Sequence, residues 1–125
     1  RFGHGIFAHT DPDLMVKLRS ANVCLEVCPT SNRILDNVPG GLKTHPLRLL
    51  YDNGVPCALA ADDPAHAGSP CCHGLVREFL VARDFLDFNP SELAQLAKNS
   101  FQHSLAPEDV KMQAMKDIDD WLSRQ

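Results

Sequence analysis

The sequence predicts an α/β fold with parallel strands, because short apolar segments alternate along the chain with segments of helical periodicity. The predicted strands are residues 2–5, 23–27 and 55–61. The third is the clearest, since an unbroken apolar run of that length is typical of a strand buried on both faces. Parallel strands are joined by helical crossovers, so the carboxyl ends of all three strands are expected at the same edge of the sheet.

The first strand is followed by a helix with a recognisable start. Thr10-Asp11-Pro12-Asp13 combines a capping side chain, an early proline and acidic groups, and the helix is expected to end near Asn22. After the second strand, residues 28–32 lead into a long loop that carries Pro39-Gly40-Gly41. The order strand, helix, strand is typical of the beginning of a parallel α/β unit.

The second predicted helix is short. Thr44 is expected to cap it, it covers residues 45–52, and Asn53-Gly54 ends it before the third strand. Beyond residue 63 the sequence is predicted to be helical to its end, with an apolar stripe in each segment. Three helices are expected there, over residues 75–86, from Asn89-Pro90-Ser91-Glu92 to Phe101, and from Pro107-Glu108-Asp109 to Leu122.

Polar groups lie at the carboxyl ends of the first and third predicted strands. His4 lies between Gly3 and Gly5, and Asp62 and Asp63 come at the end of the long apolar run. Glycine on both sides of His4 lets another molecule approach the backbone closely. Barrels and open α/β sheets place their chemistry at this edge. An equally weighted interpretation of the aspartate pair is a cap for a helix that begins at the following proline.

The second strand contributes further polar candidates. Ser31 and Asn32 either line the mouth of a site or make turn hydrogen bonds. Glu26 has apolar neighbours within the strand and is interpreted as a buried structural acid bonded to backbone, in preference to a substrate ligand. Cys24 and Cys57 lie in predicted strands and are expected to be buried free thiols.

The composition excludes several functional classes. The 125 residues carry a net charge of -4 at pH 7 and their basic residues are scattered, so no nucleic acid partner is expected. No apolar run reaches membrane length, so no membrane partner is expected either. The five cysteines include no CxxC pair, which argues against a structural zinc ion bound by cysteine.

Five segments span most of the chain: Arg1-Phe2-Gly3-His4-Gly5, Leu25-Glu26-Val27-Cys28-Pro29-Thr30-Ser31-Asn32, His45-Pro46-Leu47-Arg48, Asp62-Asp63-Pro64 and Leu96-Ala97-Lys98-Asn99-Ser100. In these segments, and in their order and spacing, the sequence resembles the carboxyl-terminal part of the adenosine/adenine deaminase family of metal-dependent amidohydrolases. The second and fifth segments are similar to the growth-factor-like branch of that family. The resemblance implies that residues 1–125 form about strands six to eight, and the following helices, of a TIM-like (β/α)8 barrel without its amino-terminal half.

The resemblance also implies an activity: zinc-dependent hydrolytic conversion of adenosine, or a related aminopurine, to inosine and ammonia. His4 and Asp62 would be catalytic, with His4 beside the attacking water and Asp62 as a zinc ligand that accepts a hydrogen bond from that water. Asp63 and Gly3 would bind the purine substrate, Asp63 at its N7 atom. Because N7 and a carboxylate are both acceptors, that contact requires a proton between them.

The rest of the family's zinc site has no counterpart in this sequence. The family takes further ligands from a His-x-His pair and another histidine, and takes its proton shuttle from a glutamate. We therefore expect these groups to come from an amino-terminal half of the same protein or from a second chain, and this chain alone to be inactive. We interpret the remaining histidines as residues of loops or helix surfaces and not as zinc ligands: His9, His45, His66, His73 and His103. His66 is the best ligand candidate among them, because it lies just past the end of the third strand.

Two other functions stay open at this stage. One is a catalytically incomplete remnant or interaction module that keeps the strand ends and binds no metal, which the incomplete ligand set suggests. The other is a deaminase with a different substrate, namely adenine, a methylated adenine nucleotide or aminofutalosine. A contact to N7 is available in every aminopurine and does not distinguish among them.

Overall fold

The computed structural model describes residues 1–63 and 74–125. Within these ranges, three strands form one parallel sheet in the order β1, β2, β3: Phe2–Gly3, Leu25–Val27 and Cys57–Leu59. Leu25 of the central strand pairs with Phe2 on one side and with Cys57 on the other. The predicted α/β alternation and the parallel arrangement are confirmed. Each strand is shorter than predicted, because the apolar runs continue beyond the residues that pair with a neighbour.

The described residues also form six α-helices. These are α1 (Pro12–Ser20), α2 (Pro29–Ile34), α3 (Leu47–Asp52), α4 (Gly74–Leu86), α5 (Pro90–Gln102) and α6 (Glu108–Leu122). Two of the predicted helix starts are confirmed: Asp11 accepts a hydrogen bond from the Leu14 N–H at 3.0 Å, and Asn89 and Glu92 form a reciprocal capping box. None of the helices in the described ranges has the length and apolar character needed to span a membrane.

The core lies on the faces of the sheet. Leu25, Val27 and Leu59 of the strands are buried, and the predicted burial of Cys24 and Cys57 is confirmed. Helices α3, α4 and α5 cover the sheet with the buried side chains Leu47, Leu50, Ala82, Leu86 and Leu96. Burial of a leucine or valine side chain stabilises a fold by roughly 1.5–3 kcal/mol, so this contact area holds the three strand ends in register.

Three local predictions were wrong. Residues 29–34 form helix α2 where a loop was expected, because Pro29 occupies the first helical position and fixes its backbone. The Thr44 hydroxyl caps no helix: it donates to the carbonyl oxygens of Pro39 and Gly41 at 2.6 and 3.0 Å, and α3 begins at Leu47. Glu26 is partly exposed, because its side chain reaches the Arg1 guanidinium and pairs with it.

Candidate active site

Two of the predicted site residues lie beyond the carboxyl ends of strands in an unusual backbone conformation. His4 follows β1 and Asp62 lies three residues beyond the end of β3, and each has a φ of 54°. The left-handed region is uncommon for residues other than glycine and occurs where the surroundings enforce it. Backbone bonds extend the ladder here: the His4 N–H donates to the Glu26 carbonyl at 2.8 Å, and the Ala60 N–H donates to the Val27 carbonyl at 2.9 Å.

The side chains of these two residues converge. His4 Nε2 lies 3.6 Å from Asp62 Oδ2, and the Ser31 hydroxyl donates to the same carboxylate oxygen at 2.6 Å. A separation of 3.6 Å is too long for a direct hydrogen bond. It allows one water oxygen to lie about 2.8 Å from both groups. The two side chains are 39% and 33% exposed, so a small molecule can reach this space.

Helix α2 places a buried polar residue behind His4. Asn32 is 2% exposed, and its Nδ2 lies 3.0 Å from His4 Nδ1. Its Oδ1 lies 3.2 Å from His45 Nε2, while the Leu47 N–H donates to His45 Nδ1 at 3.1 Å. For Ser31 the structure favours the mouth of the site over a turn bond, because its hydroxyl contacts Asp62. Asn32 fits neither interpretation, because it is buried behind His4.

His45 lies in the turn before α3, as the sequence predicts, but it is buried and not on the surface. Its side chain is 3% exposed, because the turn before α3 folds it inward against Asn32. Burial lowers the pKa of His45 from 6.5 to about 4, with a smaller contribution from the neighbouring His9. His45 is therefore neutral near pH 7 and has one N–H and one acceptor nitrogen.

Sequence reasoning missed one buried acid, Glu78 of α4. It is 3% exposed, and its carboxylate accepts a hydrogen bond from the Thr30 N–H at 2.9 Å. Thr30 lies in the first turn of α2, where N–H groups have no partner within the helix. The carboxylate thus anchors the helix that carries Ser31 and Asn32. A carboxylate within the apolar stripe of a predicted helix was the available signal.

The site offers three atoms of types that zinc accepts. Ligand atoms of His4, Cys28 and Asp62 all lie within 4.8 Å of one another. Burial and then the charge of Asp62 raise the pKa of the Cys28 thiol to about 12, and the thiol faces the Glu26 carbonyl at 3.5 Å. The thiolate needed for a metal bond is thus disfavoured. The donor set therefore fits part of a zinc site, with a carboxylate and an imidazole available.

The two predicted substrate-binding residues lie at the open side of this cluster. Asp63 is exposed next to Asp62. A side-chain carbon added at Gly3 would meet no atom within 4 Å, so the space above this glycine is open.

The other predictions about histidines divide into two groups. His9 contacts the carbonyl oxygen of Ile6 through Nδ1 at 2.7 Å, and His103 follows the end of α5; neither belongs to the cluster. His66, His73 and Pro64 lie outside the described residues. The interpretation of Asp62 or Asp63 as a cap for a helix that begins at Pro64 is therefore not tested.

Comparison with known proteins identifies relatives over nearly the whole chain. The sequence model of a family described as "Adenosine deaminase" matches residues 1–121. A Streptomyces coelicolor protein, provisionally named as an adenosine/adenine deaminase, is 43% identical over 98% of this chain and 34% of its own length. An adenine deaminase from Rhizobium meliloti is 36% identical over 89% of this chain and 33% of its own. The aminodeoxyfutalosine deaminase of Streptomyces coelicolor is 35% identical over 98% of this chain and 30% of its own.

Solved structures show the same fold. The adenine deaminase of Arthrobacter aurescens matches with a TM-score of 0.90 and 32% identity, over 98% of this chain and 36% of that one. The N6-methyl-AMP deaminase of Arabidopsis thaliana matches with a TM-score of 0.78 and 27% identity, over 96% and 34%. A Burkholderia amidohydrolase with bound zinc matches with a TM-score of 0.79 at 19% identity, over 100% and 36%, and shows the fold alone. The partial TIM-like barrel is thus confirmed, and the chain spans about a third of the length of its curated relatives.

Proposed function

This chain belongs to the adenosine deaminase family, and from that premise we propose that the protein containing it is a zinc-dependent hydrolytic deaminase of adenosine or a related aminopurine. One observation carries the proposal: His4 and Asp62 approach to 3.6 Å at the carboxyl ends of parallel strands, where barrels bind their substrates. Ser31 fixes the carboxylate of Asp62 from a third element, so the pair is held and not merely adjacent.

In the proposed reaction, water adds to C6 of the purine, and the bond from C6 to its exocyclic nitrogen breaks. The water oxygen stays on C6 as the carbonyl oxygen of the product. One proton of the water moves to N1, and the other leaves with ammonia. Bound zinc supplies the acidification of water that makes this attack possible near neutral pH. Asp62 would hold the ion and accept a hydrogen bond from the water, while His4 orients the water oxygen and stabilises the charge that develops on it.

We propose that the remaining zinc ligands and the proton-shuttling group come from outside residues 1–125, in the same protein or in a second chain. Two features support this. Asp62 is the one zinc ligand that we assign among the described residues, fewer than the three protein ligands of a usual catalytic zinc site. The matched relatives are also about three times as long as the aligned region. Residues 1–125 alone would then be inactive.

The first experiment measures zinc content and product release together. The purified full-length protein that contains residues 1–125 is loaded with zinc and incubated with adenosine, adenine, N6-methyl-AMP and aminodeoxyfutalosine, and the released ammonia or methylamine is quantified. We expect bound zinc and turnover of at least one of the four. Zinc-loaded protein that releases no amine from any of them would overturn the proposal, and protein that neither retains zinc nor releases an amine would favour the interaction module.

A second experiment tests the role of Asp63 at N7. The preferred substrate is compared with its 7-deaza analogue, which has carbon at that position, in wild type and in Asp63→Asn. We expect the variant to lower kcat/KM for the natural substrate by roughly tenfold or more. Wild type is expected to turn over the 7-deaza analogue more slowly than the natural substrate, and Asp63→Asn should not lower kcat/KM for the analogue further. Equal losses on both compounds would show that Asp63 contacts another part of the substrate.

A further inference from the structure

A continuous chain of hydrogen bonds runs from the backbone of α3 to the imidazole of His4. It begins at the Leu47 N–H, passes through His45 and Asn32, and ends at His4 Nδ1, with successive distances of 3.1, 3.2 and 3.0 Å. The two middle residues are 3% and 2% exposed, so water does not compete for their polar atoms. Neither His45 nor Asn32 reaches Asp62, and the proposed reaction described above does not use them.

The direction of this chain is fixed at its backbone end. A backbone N–H can only donate, so His45 Nδ1 must accept. Burial lowers the pKa of His45 to about 4, so near pH 7 its single proton is on Nε2. That N–H then donates to Asn32 Oδ1, which leaves the amide Nδ2 of Asn32 to donate to His4. His4 Nδ1 is therefore an acceptor.

We infer that Asn32 and His45 are positioning residues that hold His4 in the tautomer with its proton on Nε2. This nitrogen is the one that faces Asp62 at 3.6 Å. In the opposite tautomer two acceptors would face each other across this space, and His4 could not donate to an oxygen held there. The tautomer assignment stands on the geometry alone, and only its consequence for turnover rests on the proposed function.

Asn32→Asp tests this inference with almost no change in shape. A carboxylate has no N–H, so it can only accept from both histidines. His4 Nδ1 is then expected to carry a proton, either because the tautomer changes or because the nearby carboxylate favours the imidazolium. The readout is the side-chain ¹⁵N spectrum of the histidine-labelled protein at neutral pH without substrate, with the His4 signals identified by their loss in His4→Asn. In wild type, Nδ1 should show the shift of an unprotonated nitrogen, and in Asn32→Asp the shift of a protonated one.

Asn99→Asp is the matched control. Asn99 is also buried, and its Nδ2 donates to the Cys57 carbonyl at 2.8 Å, away from His4. The same chemical change there should destabilise the protein and leave the tautomer of His4 as it is in wild type. A protonated Nδ1 in the wild-type protein would overturn the inference, as would an unprotonated Nδ1 in Asn32→Asp. A tautomer change of equal size in Asn99→Asp would show a general effect of destabilisation and would overturn it too.

A second pair of variants covers the case in which Asn32→Asp does not fold. His45→Leu removes the donor to Asn32 and should give a mixture of the two His4 tautomers, whereas His45→Gln supplies an amide N–H and should restore the wild-type spectrum. We expect kcat of His45→Leu to fall by about 10²-fold at nearly constant KM, with recovery in His45→Gln. The spectrum distinguishes failure of this inference from failure of the proposed function. An inactive protein that shows the expected His4 tautomers contradicts only the proposed function.

Discussion

The two ends of the sheet differ in how their polar residues are held. At the carboxyl end, His4 and Asp62 are both left-handed at a φ of 54°, and their side chains are about a third exposed. Near the amino end of β3, Tyr51 lines a cavity with Val55 and Pro56. Arg48 lies over the Tyr51 ring, donates to Glu92 at 2.8 and 2.9 Å and also pairs with Asp52. The carboxyl end therefore exposes residues with strained backbones, while at the amino end the charged Arg48 side chain is surrounded by partners.

The amino end adds packing to its charges. The Arg48 guanidinium lies 4.4 Å from the ring centroid of Phe88, which in turn makes an edge contact with Tyr51 at 5.1 Å. We call Arg48, Tyr51, Asp52, Phe88 and Glu92 the amino-end cluster. The left-handed residues near this end, Asn22 and Asp87, follow the last turns of α1 and α4, where such a conformation is common.

This difference shows how the fold separates stability from chemistry. Left-handed residues other than glycine cost roughly 1–3 kcal/mol each and cluster at functional sites. Contacts elsewhere must offset that cost, and the amino-end cluster is placed to do so. In barrels, chemistry at the carboxyl face and stability at the amino face are the usual division. Substitutions at the two ends should therefore change different measured quantities.

The largest expected effect comes from Asp62→Asn. Asparagine adopts the left-handed region readily and its amide oxygen can still accept from Ser31, so the backbone and one contact survive. The negative charge, with which Asp62 would hold zinc and accept from water in the proposed reaction, is lost. We expect kcat/KM to fall by roughly 10³-fold or more, with a change in the free energy of unfolding below about 1 kcal/mol.

Asp36→Asn is the control for that substitution, because Asp36 has a φ of 56° and is exposed. It should leave kcat/KM and zinc content as in wild type. Amine release and urea unfolding, measured on both variants, check the prediction. A large loss of stability in Asp62→Asn with activity retained would reverse the roles assigned to the two ends.

The next largest effect concerns acid and His45. Its folded-state pKa of about 4 is below the ordinary value of 6.5, so the unfolded chain binds a proton more readily than the folded one. The stabilising contribution of neutral His45 is complete above pH 6.5 and is lost as the pH falls towards 4. The loss approaches about 3 kcal/mol, at 1.36 kcal/mol per pH unit.

Urea unfolding at several pH values measures this dependence, and His45→Gln is the matched variant. The variant should show a flatter profile between pH 6.5 and 4, since its amide does not titrate there. A slope that is identical in both proteins would assign the acid sensitivity to other groups. The prediction sharpens the comparison, because it places a pH-dependent stability term directly behind the site.

Part of the candidate site could be predicted from the sequence, because its signals are local. His4 and Asp62 each follow an apolar run, so their place at a strand end depends only on neighbouring residues. The parallel order then brings the ends together. The roles of His4, Asp62, Asp63 and Gly3 in catalysis and binding stay predictions, as does the similarity to the growth-factor-like branch.

The rest of the site depends on contacts between distant residues. His45 lies 13 positions from Asn32, and Glu78 lies 48 positions from Thr30. The periodic pattern of apolar residues in a sequence does not reveal such a pairing. A buried polar residue requires a hydrogen-bond partner, and only the packing of distant segments supplies it. Helix α2 was missed for a related reason: a six-residue helix is too short for a periodic pattern, and the Glu78 carboxylate bonds to its first turn.

At the amino end, Arg48→Lys should reduce stability and leave chemistry unchanged. Lysine keeps the charge but cannot form the two-pronged contact with Glu92 or stack on Phe88. We expect the free energy of unfolding to fall by about 1–2 kcal/mol, with kcat/KM within twofold of wild type. The matched control is Arg33→Lys, because the Arg33 side chain is half exposed and lies 3.9 Å from Asp36. Its stability should be unchanged, and a loss equal to that of Arg48→Lys would contradict the prediction.

The smallest expected effect is on the ion pair between Lys98 of α5 and Asp119 of α6. Asp119 is 60% exposed, so water and salt screen the pair, and a single contact orders a long side chain for little gain. We expect Asp119→Asn to change the free energy of unfolding by about 0.5 kcal/mol or less, and the difference to vanish at 1 M salt. Thermal unfolding at low and high salt measures both values. If this exposed pair contributed as much to stability as Arg48, then the number of partners and the aromatic stacking would not explain the stabilising effect of the amino-end cluster. The contrast between the two ends would then rest on the backbone strain at His4 and Asp62 alone.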